Sequence, residues 1–147
     1  GDLITVSGSA SNNSTFTVNT VVSTTELTVA EVVTSENADG SSTITLDHVG
    51  FVSDKAKGDG YYSQPDGVHT VAYQVANDFN ADATIKMQGT LATTPTEDDW
   101  FDIANTTFIA DGSTVTSSYN FTGNYVWVRS KTQLLTAGTT NSILLNS

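Results

Sequence analysis

Residues 83–103, ATIKMQGTLATTPTEDDWFDI, constrain this chain more than any other stretch. Ala83, Ile85 and Met87 alternate with Thr84, Lys86 and Gln88, the two-residue period of a strand with one buried face. Gly89 ends the run. A polar connection over 90–99 follows, with Pro95 and three consecutive acids, Glu97, Asp98 and Asp99. The chain returns to apolar residues at Trp100, Phe101 and Ile103. Trp100 and Phe101 point to opposite faces if extended, so the return is expected to bury at least one large ring. A second strong strand, 124–131 (NYVWVRSK), sets Tyr125, Trp127 and Arg129 on one face and Val126 and Val128 on the other. No segment shows a 3.6-residue period. Ser, Thr and Asn make up about a third of the chain; Thr favours strands, and Ser and Asn favour turns. An all-β protein with many loops follows.

The first 47 residues read as a small antiparallel meander or miniature barrel. Residues 3–6 form a short strand and 7–14 (SGSASNNS) a loop. Strands over 15–22 and 26–33 are joined by Ser23-Thr24-Thr25, short enough for a hairpin. An Asp-Gly turn at 38–41 precedes a fourth strand at 42–46. Residues 48–67 change character: they are rich in glycine and carry Pro65 and the pair Tyr61-Tyr62, as befits a boundary or a long functional loop. Residues 68–147 read as a β-sandwich. Residues 68–76 place Val71, Tyr73 and Val75 on one face, and 77–82 make a turn. Strands at 106–110 and 114–118 bracket Asp111-Gly112 as a hairpin. A turn at 136–140 leads to a last strand at 141–146. Short strands with frequent turns imply a jelly-roll or an immunoglobulin-like sandwich, and the pattern does not choose between them.

Sixteen acids face five bases, a formal net charge of −11. Nucleic-acid binding needs clustered cations to displace phosphate counterions, and Lys55, Lys57, Lys86, Arg129 and Lys131 are few and scattered in sequence. The same argument disfavours an anionic membrane. No apolar run approaches the roughly 20 residues of a spanning helix. There is no cysteine, hence neither a disulfide nor a thiolate metal site. The chain opens at Gly1 without an initiator Met or a signal peptide, which reads as processing, trimming or missing upstream residues.

Two sets of segments carry a resemblance. GDLITVSGSASNNSTFTVNTVVSTTELTVAE (1–31) resembles a module of virion structural proteins of tailed bacteriophages: Gly-Asp, a short strand ending Ser-Gly, an Asn-rich turn, then aromatic-Thr-Val and Leu-Thr-Val strands. The segments VAYQVANDFNADATIKMQGTL, WFDIANTTF and NFTGNYVWVRSK resemble the β-sandwich of phage head and tail accessory proteins. The chain departs from that pattern in the long acidic loop before Trp100, where a short Asp-Gly turn is expected. The resemblance implies a non-catalytic virion protein, a capsid decoration or accessory subunit. Its partners would be other virion proteins, the major capsid protein first, and copies of itself.

The residues themselves offer little chemistry. His48 and His69 lack metal-ligand spacing and read as strand-end histidines. No serine sits in a Gly-x-Ser-x-Gly elbow. Glu97, Asp98, Asp99 and Asp102 are close enough in sequence for paired-carboxylate work, yet a solvated acidic loop is the reading that this composition favours. Asp98, Asp99 and Asp102, or Asp54 and Asp59, are the calcium candidates, since calcium takes carboxylate and carbonyl oxygens; no cofactor is expected. Asn-x-Ser/Thr triplets at Asn12, Asn13, Asn105 and Asn120 are unsurprising in this composition. Tyr61, Tyr62, Tyr125 and Trp127 can line a sugar- or partner-binding surface or serve as core.

Three functions compete: the virion subunit, an extracellular filament or surface-layer subunit in which residues 3–6 add to a neighbour's sheet, and a carbohydrate-binding module built on Tyr125 and Trp127. Contacts between subunits are expected at Leu3, Ile4 and Val6, with nothing before them to cover them, and at Phe51, Tyr61 and Tyr62 in the glycine-rich loop.

Overall fold

The computed structural model describes residues 1–37, 43–63, 67–76, 79, 82–112, 115–135 and 140–146. The expected turn at 38–41 and most of those at 77–82 and 136–140 lie outside these residues. These residues form twelve strands, in the order β1 (Asp2–Ser7), β2 (Thr15–Ser23), β3 (Glu26–Val29), β4 (Thr45–Val52), β5 (Ala56–Lys57), β6 (Val68–Val75), β7 (Thr84–Thr90), β8 (Phe101–Asp102), β9 (Phe108–Ile109), β10 (Val115–Thr122), β11 (Trp127–Gln133) and β12 (Thr140–Asn146). The only helical pieces among the described residues are two 3₁₀ turns, Asp59–Tyr62 and Glu97–Asp99. Every pairing is antiparallel. A large sheet runs β3-β2-β1-β4-β11-β7-β8, with β5 on β11 and β9 on β7, and a small sheet runs β10-β6-β12. The all-β sandwich is therefore what the residues form.

Alternation explains the core. Val71, Tyr73 and Val75 of β6 face Ile85 and Met87 of β7 and Val128 of β11, joined by Phe79, Ile103, Phe108 and Phe121. At about 25 cal/mol per Å² of apolar surface buried, this cluster is the main stabilising element. β7 is more covered than a strand with one wet face: Gln88 is also buried, 5% exposed, because β11 brings Arg129 directly opposite it. The strand also runs one residue past Gly89.

The N-terminal residues form an open meander whose outer strands, β3 and β4, do not pair with each other. The hairpin at Ser23-Thr24-Thr25 is present, with Ser23 opposite Glu26. The strand expected over 26–33 stops at Val29, since the Glu31 carboxylate takes the Thr17 backbone N–H that a longer β3 would occupy. The fourth strand lies later than expected. It continues to Val52, held by β1 on one side (Asp2 opposite Phe51) and by β11 on the other (Val52 opposite Lys131). The 47/48 boundary thus falls inside β4, and meander and sandwich share one sheet. Gly50 permits the crossing: its φ is +150°, and a Cβ there would collide with the Thr132 carbonyl oxygen.

The hairpin expected around Asp111-Gly112 is not formed. β9 pairs with β7 and β10 with β6, so these residues cross from one sheet to the other. An Asp-Gly pair marks a turn but does not choose which strand comes next in space. Phe101 stays 45% exposed, and Trp100, half-buried, is the ring that the chain's return covers.

Candidate functional site

The outward face of β7 and β11 carries the most developed polar arrangement in the molecule. Arg129 projects from β11, only 6% exposed. Its two terminal nitrogens donate to Glu97 at 2.9 and 2.7 Å, and its Nε donates to Gln88 Oε1 at 3.0 Å. The guanidinium lies 4.2 Å from the Trp100 ring centroid. Gln88 Nε2 then donates to Asp102 at 2.9 Å, and Lys86 donates to the same carboxylate at 2.6 Å. Charge-assisted, bidentate bonds of this kind are the strong class.

The acidic loop is folded by its own residues. Thr96 and Asp99 form a reciprocal capping box at the 3₁₀ turn, with Thr96 N–H and Oγ1 both donating to Asp99 Oδ2. This aims Glu97 at Arg129. Those Thr96 bonds hold the Asp99 carboxyl below the usual range. Burial pushes Asp102 up, but the Lys86 and Gln88 bonds outweigh it and the net shift is downward. Lys131 is pushed down by burial and by the neighbouring charges of Lys86 and Arg129. Of the calcium candidates, Asp99 and Asp102 are thus occupied by protein donors, while Asp98 is exposed. Asp59 accepts the Gly67 N–H. Among the described residues no group of three or more His, Asp or Glu gathers to hold a metal.

These shifts give an acid signature. Asp99 and Asp102 have folded pKa values below their unfolded ones, so their contribution is complete above the unfolded values and is lost as pH falls through the folded ones. The Tm is expected to be level from neutrality to about pH 5 and to drop below about pH 4, less steeply in Asp102→Asn. A scanning calorimetry series checks this, and identical slopes in the two proteins would count against it.

Beside this network an aromatic–lysine cluster rims the sheet. Lys55 Nζ sits 4.5 Å from the Trp127 ring, and Lys57 lies 4.2 Å from Tyr61 and 5.5 Å from Tyr62. Tyr61 meets Trp127 edge-on at 4.7 Å, and the indole N–H donates to the Thr93 carbonyl. Lys55 and Tyr61 therefore take the surface that a flat sugar platform would need. Tyr125 does not share this face, contrary to the alternation: β11 begins only at Trp127, and Tyr125 turns toward Phe121, His69 and Phe101. Lys86, Arg129 and Lys131, scattered in sequence, gather on this face, with Lys55 and Lys57 at its rim. A cleft of about 480 Å³ separates it from the N-terminal hairpin, lined by Thr17, Asn19, Lys55, Glu97, Trp100 and Arg129.

Neither histidine builds a catalytic set. His48 is exposed, 3.6 Å from Asp2. His69 is fully buried, stacked on Phe121 at 4.9 Å, with Nε2 3.2 Å from the Gly123 carbonyl oxygen and 3.5 Å from Asp59.

The six contact candidates separate. Leu3 and Ile4 are covered by their own chain, 2% and 9% exposed, and β1 is paired on both edges, which corrects the expectation of an uncovered first strand. The missing cover comes from β2 and β4, not from a preceding segment. Val6 and Phe51 are half-buried, and Tyr61 and Tyr62 are exposed. Sequence reasoning missed the larger apolar surface: Val21, Val22, Val32, Val33, Ile44 and Leu46 are all exposed, Val32 at 98%. Part of the signal was present in the adjacent valines at 21–22, because neighbours in a strand cannot share one face, whereas Val32 and Val33 lie past the end of β3. Beside them Ile4, Phe16, Leu27, Val29 and Leu46 line an open hollow of about 550 Å³.

Compared with protein-family models, curated proteins and solved structures, the chain matches none.

Proposed function

We propose that the chain is a non-catalytic structural subunit of a virion, a capsid decoration or accessory protein of a tailed phage. Its partners are the major capsid protein and copies of itself. The observation that supports assembly is the concentration of exposed apolar side chains on the N-terminal meander. Of these, Val33 and Leu46 line one open hollow together with Ile4, Phe16, Leu27 and Val29, and contiguous exposed apolar surface marks interaction sites. The assignment to a virion rests on the resemblance carried by residues 1–31 and by the sandwich strands. The polar network on the sheet face supports a structural role as well, since Glu97 and Asp102 are held by cations and so cannot act as a free acid and base.

The test is made on purified particles from the source that encodes the chain. Mass spectrometry is expected to find it in fixed stoichiometry with the capsid protein, and electron microscopy to show it as ordered density on the particle. Val21→Ser with Val22→Ser is expected to abolish re-attachment of purified protein to particles lacking it. A chain found only outside particles, or one that hydrolyses a glycan or ester in a manner lost with Asp98→Ala or Asp102→Ala, would refute the proposal.

A further inference from the structure

The small sheet is unlike the rest of the surface. β6, β10 and β12 contain no Asp, Glu, Lys or Arg, in a chain of formal net charge −11. Their outward positions include Thr70, Gln74, Thr116, Ser118, Asn120 and Leu144, tied across strands by hydrogen bonds from Thr70 to Asn120 and from Ser142 to Gln74. Among the described residues both edges of this sheet end without a further strand. β12 carries a register shift between Thr140 and Ser142, and such a bulge interrupts further pairing. β10 has none. All eight of its residues pair with β6 in unbroken register, from Val115 opposite Val75 to Thr122 opposite Val68. Among the described residues its other edge meets no strand and makes no backbone–backbone hydrogen bond; at the strand's end the Thr122 carbonyl accepts from the Tyr125 hydroxyl at 3.3 Å. Proteins usually blunt such an edge with lysine, proline or a bulge, and β10 has none of the three.

We propose that β10 is a self-association edge at which two copies of this chain pair antiparallel about a two-fold axis. The product is one continuous sheet, β12-β6-β10-β10-β6-β12. This deepens the assembly reading and rests on its repeated copies. Two arguments make the occupant a second copy. A strand laid antiparallel on its own image is self-complementary, which a two-fold contact requires. Bodies of charge −11 repel wherever their acids approach, and the uncharged sheet is where two of them can meet without opposing like charges.

Sedimentation velocity on the full chain tests this. The expected result is a reversible dimer of twice 15.5 kDa. Added salt should tighten it, because screening weakens the net repulsion and leaves an uncharged hydrogen-bonded edge intact. Ser118→Lys, at an exposed position beside the axis, is expected to weaken dimerisation about tenfold or more with the circular dichroism unchanged. Thr116→Lys serves as the second variant. A chain monomeric at all concentrations and salt levels overturns the proposal. So does a dimer that neither lysine weakens, or cross-linking of β10 to a strand of a different protein. Val21→Ser with Val22→Ser is expected to leave the dimer intact. A monomer that still attaches to particles counts against β10 alone, and a dimer that never attaches counts against the virion reading alone.

Discussion

Replacing Arg129 by alanine is expected to lower the unfolding free energy by about 3 kcal/mol and the Tm by about 6–12 °C. The arginine is nearly buried, and each of its bonds has a second consequence when it is lost. Glu97 would keep its charge without its bidentate partner, with only the more distant Lys86 and Lys131 left on the face, and Gln88 would lose the donor to its Oε1. The Trp100 ring would lose the guanidinium at 4.2 Å from its centroid. Glu97 is 22% exposed, so water relieves part of the penalty and the loss belongs at the low end of the range for a broken buried pair. The double variant Arg129→Met with Glu97→Gln separates the two costs. It removes both charges and is expected to recover at least about 1 kcal/mol relative to Arg129→Ala, because no unpaired ion remains. Equilibrium urea unfolding of the wild type, Arg129→Ala and the double variant reads this directly. A loss under about 1 kcal/mol for Arg129→Ala would mean that the pair behaves as a surface ion pair.

The same residues show how far the sequence can be read. Alternation grouped Val71, Tyr73 and Val75 on one face of their strand and Ala83, Ile85 and Met87 on one face of theirs, and all six are buried, because side-chain direction in a strand is a local property of the backbone. What alternation does not carry is which strand lies beside which. Asp111-Gly112 marked a break between strands but not which strands pair, since the choice between a hairpin and a crossover depends on non-local packing. β4 ran past its expected end for the same reason: two distant strands hold it in place. The site was legible only in pieces. Arg129 was assigned a face, and Glu97 an acidic loop, but 32 residues separate them and nothing local links the two. The acids looked like possible calcium ligands because sequence displays the carboxylates without the lysine, glutamine and threonine that engage them.

Tyr73→Ala is expected to cost about 4 kcal/mol, in the range for removing a large buried ring, and Tyr73→Phe about 1 kcal/mol. Tyr73 is 1% exposed at the centre of β6. Its ring lies among Phe108 at 6.4 Å and Tyr119 at 5.6 Å, so truncation opens a cavity between the two sheets. The hydroxyl donates to the Thr106 carbonyl at 2.9 Å. Burial pushes that hydroxyl far above the ordinary tyrosine range, with the Thr106 bond offsetting part of the shift, so it remains a donor at any pH at which the fold persists. Thr106 is itself fully buried; its Oγ1 donates to the Ile103 carbonyl at 2.7 Å and accepts from the Met87 N–H at 3.1 Å. Tyr73 therefore ties the small sheet to a polar staple that fixes β7 and the 103–106 segment of the large one. The phenylalanine variant keeps the packing and leaves the Thr106 carbonyl without this donor. Its cost isolates the hydrogen bond, while the remaining loss in Tyr73→Ala measures the cavity. Urea unfolding should give unchanged slopes for both variants, since the surface exposed on unfolding hardly differs. If Tyr73→Phe proved as costly as Tyr73→Ala, the staple rather than the ring would hold the sheets together. If both were neutral, the two sheets would not share the single core described here.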